Sequence, residues 1–205
     1  MGLYEERVLP RLVELTCGGA DMAKFRRRTV EGLQGRIVEV GFGSGLNAEV
    51  YPDEVTEVLA VEPSQVARER SARHTGATSA RIEFVGLDGA TLPIEDASCD
   101  GALATFTLCT IPDVHAALAE LHRVVRPGGR FHFMEHGRAP DESVRTWQRR
   151  IEPIQKRIAG GCHLTRDPEA LVRDAGFEIV ELEHRYVKGP KPWSYFTIGK
   201  AVRPD

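Results

Sequence analysis

Apolar positions follow two different periods along this chain, and the switches between them mark its elements. Short apolar runs occur at Ile37-Val38-Glu39-Val40, Val58-Leu59-Ala60-Val61, residues 81–86 and residues 99–106. Each is bounded by turn-forming residues and is too short for a helix, so each predicts a buried strand. Residues 130–134, 177–182 and 195–201 predict three more. Between them the spacing turns helical. Val8, Leu12 and Leu15 predict an amphipathic helix over residues 3–15, and Met22, Phe25, Val30 and Leu33 a second over residues 22–33 with Asp21 as its N-cap. Further helices are predicted over residues 64–73, from Asp113 to Val124, over residues 143–158 with a kink at Pro153, and over residues 168–175. Arg126-Pro127-Gly128-Gly129 reads as a strong breaker. Alternating strands and helices with short connections predict an α/β fold with a parallel, doubly wound sheet, because each right-handed crossover needs a helix. The expected organisation is a helical cap over residues 1–35 and one compact unit over residues 36–205.

The first strand runs straight into Gly41-Phe42-Gly43-Ser44-Gly45. Glycines there let the backbone turn sharply and lie against a ligand without intervening side chains. The helix after this loop is expected to be short, since Pro52 ends it. The second strand ends in Glu62-Pro63, where a carboxylate can accept hydrogen bonds from both hydroxyls of a ribose. A dinucleotide dehydrogenase would show G-x-G-x-x-G, but position 46 is Leu and the spacing here is G-x-G-x-G.

The pattern from Glu39 through Gly41, Gly43 and Gly45 resembles motif I of class I S-adenosylmethionine (SAM) methyltransferases. The likeness extends through Glu62, Asp88-Gly89-Ala90 and the stretch from Leu121 to Arg130, in the group shared with ubiquinone and menaquinone biosynthesis enzymes. It implies a Rossmann-like seven-stranded sheet of order 3-2-1-4-5-7-6 with the last strand antiparallel. It also implies SAM as cofactor, S-adenosylhomocysteine as product, and a small-molecule acceptor. On this resemblance Glu39, Gly41, Gly43, Gly45, Glu62, Pro63, Asp88, Gly89, Thr105 and Phe106 form the cofactor site. Asp88 would accept from the adenine amino group, and Phe106 with Leu108 would wall the donor methyl. Tyr51-Pro52, Phe133-Met134-Glu135-His136 and Gly161-Cys162-His163-Leu164-Thr165-Arg166 resemble, more narrowly, methyltransferase-like thiol S-methyltransferases that are membrane-anchored in animals. The present chain lacks their hydrophobic N-terminal anchor and carries Glu62 where they carry Asp, so no stable membrane insertion is expected.

Composition narrows the picture further. The 205 residues carry a formal net charge of -3 and 28% charged residues, which argues against a general nucleic-acid binder. No run approaches a membrane span and no secretory segment opens the chain, so a cytoplasmic enzyme is the expectation. The basic cluster Lys24-Phe25-Arg26-Arg27-Arg28 reads as a solvated helix face. Cys17, Cys99, Cys109 and Cys162 show no C-x-x-C pairing; they read as reduced, mostly buried thiols, and no metal site is expected. Several thiols converging on one soft ion, as an arsenic methyltransferase would require, are disfavoured by the same scatter.

A thiol acceptor must ionise before it attacks, and a nearby imidazole can assist. His136, at a strand's carboxyl end, and His163 are the catalytic candidates. Glu135 is an alternative that orients His136 or an amine substrate, and Trp147, Trp193 and Tyr195 are candidates to line an apolar acceptor pocket. C- or N-methylation of a quinone-like or amine metabolite, and a SAM-binding regulator without catalysis, remain open alternatives.

Overall fold

The computed structural model describes residues 18–205; the helix predicted over residues 3–15, and Cys17, lie outside them. Seven strands form a single sheet: β1 (Gly35–Val40), β2 (Val55–Val61), β3 (Arg81–Gly86), β4 (Cys99–Thr105), β5 (Val125–His136), β6 (Glu178–Tyr186) and β7 (Tyr195–Val202). Their order is β3-β2-β1-β4-β5-β7-β6. Strands β1 to β5 pair in parallel, whereas β7 runs antiparallel to both β5 and β6. This is the Rossmann-like topology that the motif resemblance implied. The helices are α1 (Ala20–Val30), α2 (Gln65–Ser71), α3 (Val114–Val124), α4 (Glu142–Ile158), α5 (Pro168–Asp174) and α6 (Lys191–Ser194).

Strand alternation assigns the core to two layers. Val38, Val40, Leu59, Val61, Ala102 and Ala104 pack with Leu118, Leu121 and Val124 of α3 on one face. Ile37, Val58, Ala60 and Leu103 meet Val30, Leu33, Phe42 and Tyr51 on the other. With side chains pointing to opposite faces at a period of two, Glu39 must share the second face with Ile37. That places a carboxylate inside the sheet rather than at its rim.

Several boundaries differ from the periodicity. Helix α1 begins at Ala20 with Gly19, not Asp21, at the N-cap, and it ends at Val30 before Gly32 turns the chain at φ 87°. Leu33 is buried beyond the helix end rather than within it. The glycine loop is followed by a single 3-10 turn, Ala48–Val50, because Gly45 and Pro52 leave too few residues for an α-helix. The Pro-Gly-Gly stretch lies inside β5: Cys99 pairs with Val125 and Gly101 with Arg130, so the extra residues form an irregularity that the strand absorbs. Asp113 caps α3 instead of sitting in its first turn, accepting from Ala116 N at 3.0 Å. Pro153 lies within a continuous α4.

His132, fully buried on β5, bonds the carbonyl of Thr29 through Nδ1 at 2.7 Å and so ties α1 to the sheet. Burial holds its pKa down to about 4, against a smaller upward pull from the Thr29 carbonyl. An unfolded histidine titrates near 6.5, so the unfolded chain takes up a proton that the folded one refuses until about pH 4. Stability from this group is therefore present above pH 6.5 and is lost as pH falls toward 4, by on the order of 3 kcal/mol. Urea unfolding at pH 7, 5.5 and 4 should show wild type losing about that much relative to His132→Leu; a pH-independent gap between the two would contradict it.

Candidate active site

The carboxyl ends of β1, β2, β4 and β5 converge on one edge of the sheet, where open α/β sheets place their ligands. After β1 the backbone passes through Gly41 (φ 76°), Gly43 (φ 58°) and Gly45 (φ 82°), all in the left-handed region. The three positions differ in what surrounds them. A Cβ on Gly41 would lie 2.0 Å from Thr107 Oγ1, so this glycine exists to let two loops touch. A Cβ on Gly43 would meet only Gly41 O, at 3.9 Å, so here the backbone faces open space that a ligand can approach.

Glu62 fastens this loop. Its Oε2 accepts from Gly43 N and its Oε1 from Ser64 N, both at 2.8 Å. Burial raises the carboxyl pKa, and the two backbone donors partly offset that. Each oxygen retains a lone pair for a further donor. Pro63 is exposed beside it, and Arg68 pins the turn by donating to the carbonyls of Glu62 and Gly86 at 2.7 and 2.6 Å.

Glu39 has no exposed surface and lies beneath the loop in a buried polar network. It accepts from the Tyr51 hydroxyl and from Asn47 Nδ2, the latter at 2.7 Å. Asn47 Nδ2 also reaches Thr105 Oγ1 at 3.0 Å, and Arg26 donates to Asn47 Oδ1 and Thr105 Oγ1 at 2.8 and 2.9 Å. Burial pushes the Glu39 pKa up to about 7, with Tyr51 and Asn47 pulling against it. Arg26, part of the cluster that reads as solvated, is thus buried under the site; its helix turns this one guanidinium inward while Lys24 remains exposed. Asn47 and Arg26 carry no signal in the sequence, since neither belongs to a motif.

Asp88 and Gly89 follow β3. Asp88 is exposed and its Oδ1 accepts from Ala90 N at 2.9 Å, an Asx-type turn. Gly89 is buried, with room for no Cβ beside Val40 Cγ1 at 2.8 Å.

Across from the glycine loop, in contact with Gly41 through Thr107, lies the turn after β4. Phe106 adopts φ 55°, unusual for a bulky residue, and its N–H donates to Met134 O at 2.8 Å. Its ring packs 5.1 Å from Phe196 and 6.1 Å from His136, centroid to centroid. Glu135, fully buried, accepts from Thr107 N at 2.7 Å and Leu108 N at 2.9 Å, and from Cys109 N at 3.4 Å. Glu135 therefore holds the turn, rather than orienting the neighbouring imidazole or an amine.

His136 lies between two thiols. Its Nε2 is 3.2 Å from Cys162 Sγ and 3.7 Å from Cys109 Sγ. Burial disfavours charge on His136, but the hydrogen bond and charge of Cys162 outweigh it and raise the pKa. The Cys109 thiol lowers that of Cys162, against burial and with help from His136. Cysteines far apart in sequence thus converge, contrary to what their spacing predicts, because β5 delivers His136 between the turn after β4 and the loop after α4. His163 N donates to Cys109 O at 2.8 Å, and Arg166 donates to the carbonyls of Leu108 and Ile111, joining those two loops. The His163 ring itself sits beside Glu152, with Nδ1 at 3.6 Å from Oε1. Trp147 and Trp193 are exposed, the latter donating to Gln155 Oε1 at 3.0 Å.

Comparison with known proteins agrees with this site. Residues 38–133 match the methyltransferase domain family. The chain is 32% identical over 171 residues to the thiol S-methyltransferase TMT1B of Rattus norvegicus, covering 81% of this chain and 68% of that protein. It is 31% identical over 182 residues to TMT1B of Mus musculus, covering 85% and 72% respectively. A solved chain from the complex of the Haloferax volcanii Trm112 methyltransferase activator with a putative methyltransferase shares the fold at TM-score 0.73 and 17% identity, across 98% of this chain and 96% of that one. Among the described residues no helix is long and apolar enough to cross a membrane. The glycine loop fastened to Glu62, the matched domain and the extended similarity to TMT1B lead to one conclusion: this chain belongs to the SAM-dependent methyltransferases and methylates a small-molecule acceptor.

Proposed function

We propose that the acceptor is a small thiol, methylated on sulfur at the turn where Phe106, Cys109, His136 and Cys162 meet. The observation that carries this reading is the soft, water-poor character of that turn: two thiols and an imidazole against Leu164, Ile151 and Ala159. A quinol or amine would leave these sulfurs without a matching partner, whereas a thiol acceptor shares their chemistry. The similarity to TMT1B points the same way.

SAM suits the donor side on three counts. The open backbone at Gly43 admits a ligand, Glu62 keeps lone pairs for two ribose hydroxyls, and Gly89, too close to Val40 to carry a side chain, draws the loop after β3 against the end of β1. When bound, SAM supplies a methyl group already activated by its sulfonium, so the chain's contribution is alignment and exclusion of water. In this reading Gly41, Gly43 and Gly45 shape the cradle, and Glu62 with Pro63 positions the sugar. Asp88 and Gly89 frame the adenine, and Glu39 with Thr105 forms the buried floor. Phe106 walls the methyl. His136 stabilises the thiolate form of the acceptor. His163, turned toward Glu152, positions the loop that carries Cys162 instead of touching the acceptor.

Glu62→Gln removes one acceptor oxygen at a site that uses both. Calorimetry should show SAM affinity reduced at least tenfold, about 1.4 kcal/mol, and thermal unfolding should be lowered modestly, because Gly43 N or Ser64 N loses its acceptor. Unaltered affinity would remove Glu62 from the ribose contact. Acceptors can be compared by following conversion of SAM to S-adenosylhomocysteine with thiols, quinols and amines. Turnover should be confined to thiols and should fall at least tenfold in His136→Ala; turnover with quinols or amines and none with thiols would overturn the reading.

A further inference from the structure

We propose that Cys109, Cys162 and His136 form a binding site for one thiophilic divalent cation of the zinc class, with a fourth position open to the acceptor's sulfur. The ligand atoms of all three residues lie within 4.8 Å of one another. Zinc–sulfur bonds of about 2.3 Å and zinc–nitrogen bonds of about 2.1 Å at tetrahedral angles separate S and N by about 3.6 Å. The observed separations from His136 Nε2, 3.2 Å to Cys162 Sγ and 3.7 Å to Cys109 Sγ, bracket that value. Both separations from the imidazole therefore suit a single tetrahedral cation.

Three further features support a built site. First, the ligands come from three separately anchored segments. Cys109 N is held by Glu135 and Cys109 O by His163 N, Cys162 N donates to Ala159 O at 3.1 Å, and His136 closes β5. Second, the donor set is two sulfurs and one imidazole. As two thiolates and a neutral ring, it balances a dication without net charge, so burial against Leu164, Ile151 and Ala159 is tolerable. Third, three protein ligands are the number characteristic of zinc sites that keep a position for substrate, whereas structural sites use four. His136, unlike the enclosed thiols, keeps part of its surface exposed.

The role of the fourth position rests on the thiol-acceptor reading. An acceptor thiol entering there gives up its proton to solvent and is held as thiolate. Its sulfur lone pair then forms the new S–CH3 bond as the donor's CH3–S bond breaks, and that electron pair leaves on S-adenosylhomocysteine. The cation neither gains nor loses electrons, and the imidazole is not required to carry the proton.

The test uses the full chain, purified under reductant, stripped with a chelator and then titrated with Zn2+ and, for spectroscopy, Co2+. One ion per chain is expected, with a near-ultraviolet thiolate-to-cobalt charge-transfer band. Cys109→Ser, Cys162→Ser and His136→Gln should each weaken binding at least tenfold, and Cys99→Ser, on β4 away from the cluster, should not. Melting curves of the metal-free variants identify any that fail to fold, and the wild-type titration stands without them. Absence of the charge-transfer band, or a band and stoichiometry preserved in all three variants, would overturn the site. Adding a small thiol to the cobalt form should shift the band; an unmoved band would overturn the open fourth position. Should the cation bind as described while no thiol is methylated, the acceptor reading fails and the metal site stands.

Discussion

Contact between two loops governs the active edge of this protein. The backbone at Gly41 passes so close to Thr107 that a Cβ would fall 2.0 Å from its hydroxyl oxygen. That proximity joins the loop after β1 to the turn after β4, the two segments proposed to meet donor and acceptor. A side chain at residue 41 would pry the two apart, and in-line methyl transfer depends on alignment far more than on acid–base assistance. Phe106, left-handed at φ 55° beside this contact, carries the conformational strain that the arrangement requires, whereas Gly41 adopts its φ of 76° without cost.

Buried carboxylates hold both sides of the contact in place, each satisfied in a different way. Glu62 accepts from two backbone N–H groups and fixes the glycine loop. Glu135 accepts from the N–H groups of the turn after β4 and fixes residues Thr107, Leu108 and Cys109. Glu39 lies beneath both, bonded to Tyr51 and Asn47 and linked through Thr105 to Arg26 of α1. Unpartnered carboxylates at these depths would be strongly unfavourable, so the loops and the acids specify each other. Helix α1, clamped to β5 by His132 and Thr29, thereby becomes part of the site's floor rather than a cover for the sheet.

At the cluster of Cys109, His136 and Cys162, chemistry comes from loops more than from the sheet. His136 is the last residue of β5, but Cys109 and Cys162 arrive on segments joined by His163 N and by Arg166. Soft donors gathered in a water-poor recess suit a sulfur acceptor and a thiophilic cation alike. Sequence scatter is a poor guide to such gathering, because a doubly wound sheet returns every second connection to the same edge.

Local pattern by itself determined the strands and the parallel arrangement, and it carried the motif resemblance that implies a donor site. Strand periodicity, the Gly41-Gly43-Gly45 spacing and Glu62 are short-range features, and short-range features survive reading along a line. The same pattern misplaced what depends on competition between neighbours: the N-cap at Gly19, the 3-10 turn before Pro52, and the passage of Pro127-Gly128-Gly129 through β5. Tertiary structure alone decided that Arg26 points inward, that Glu135 caps a turn, and that Cys109 meets Cys162 across His136. Those outcomes arise from contacts between residues 26 to 79 positions apart, such as Arg26 with Thr105, and no periodicity along the chain encodes which side chains the folded sheet brings face to face.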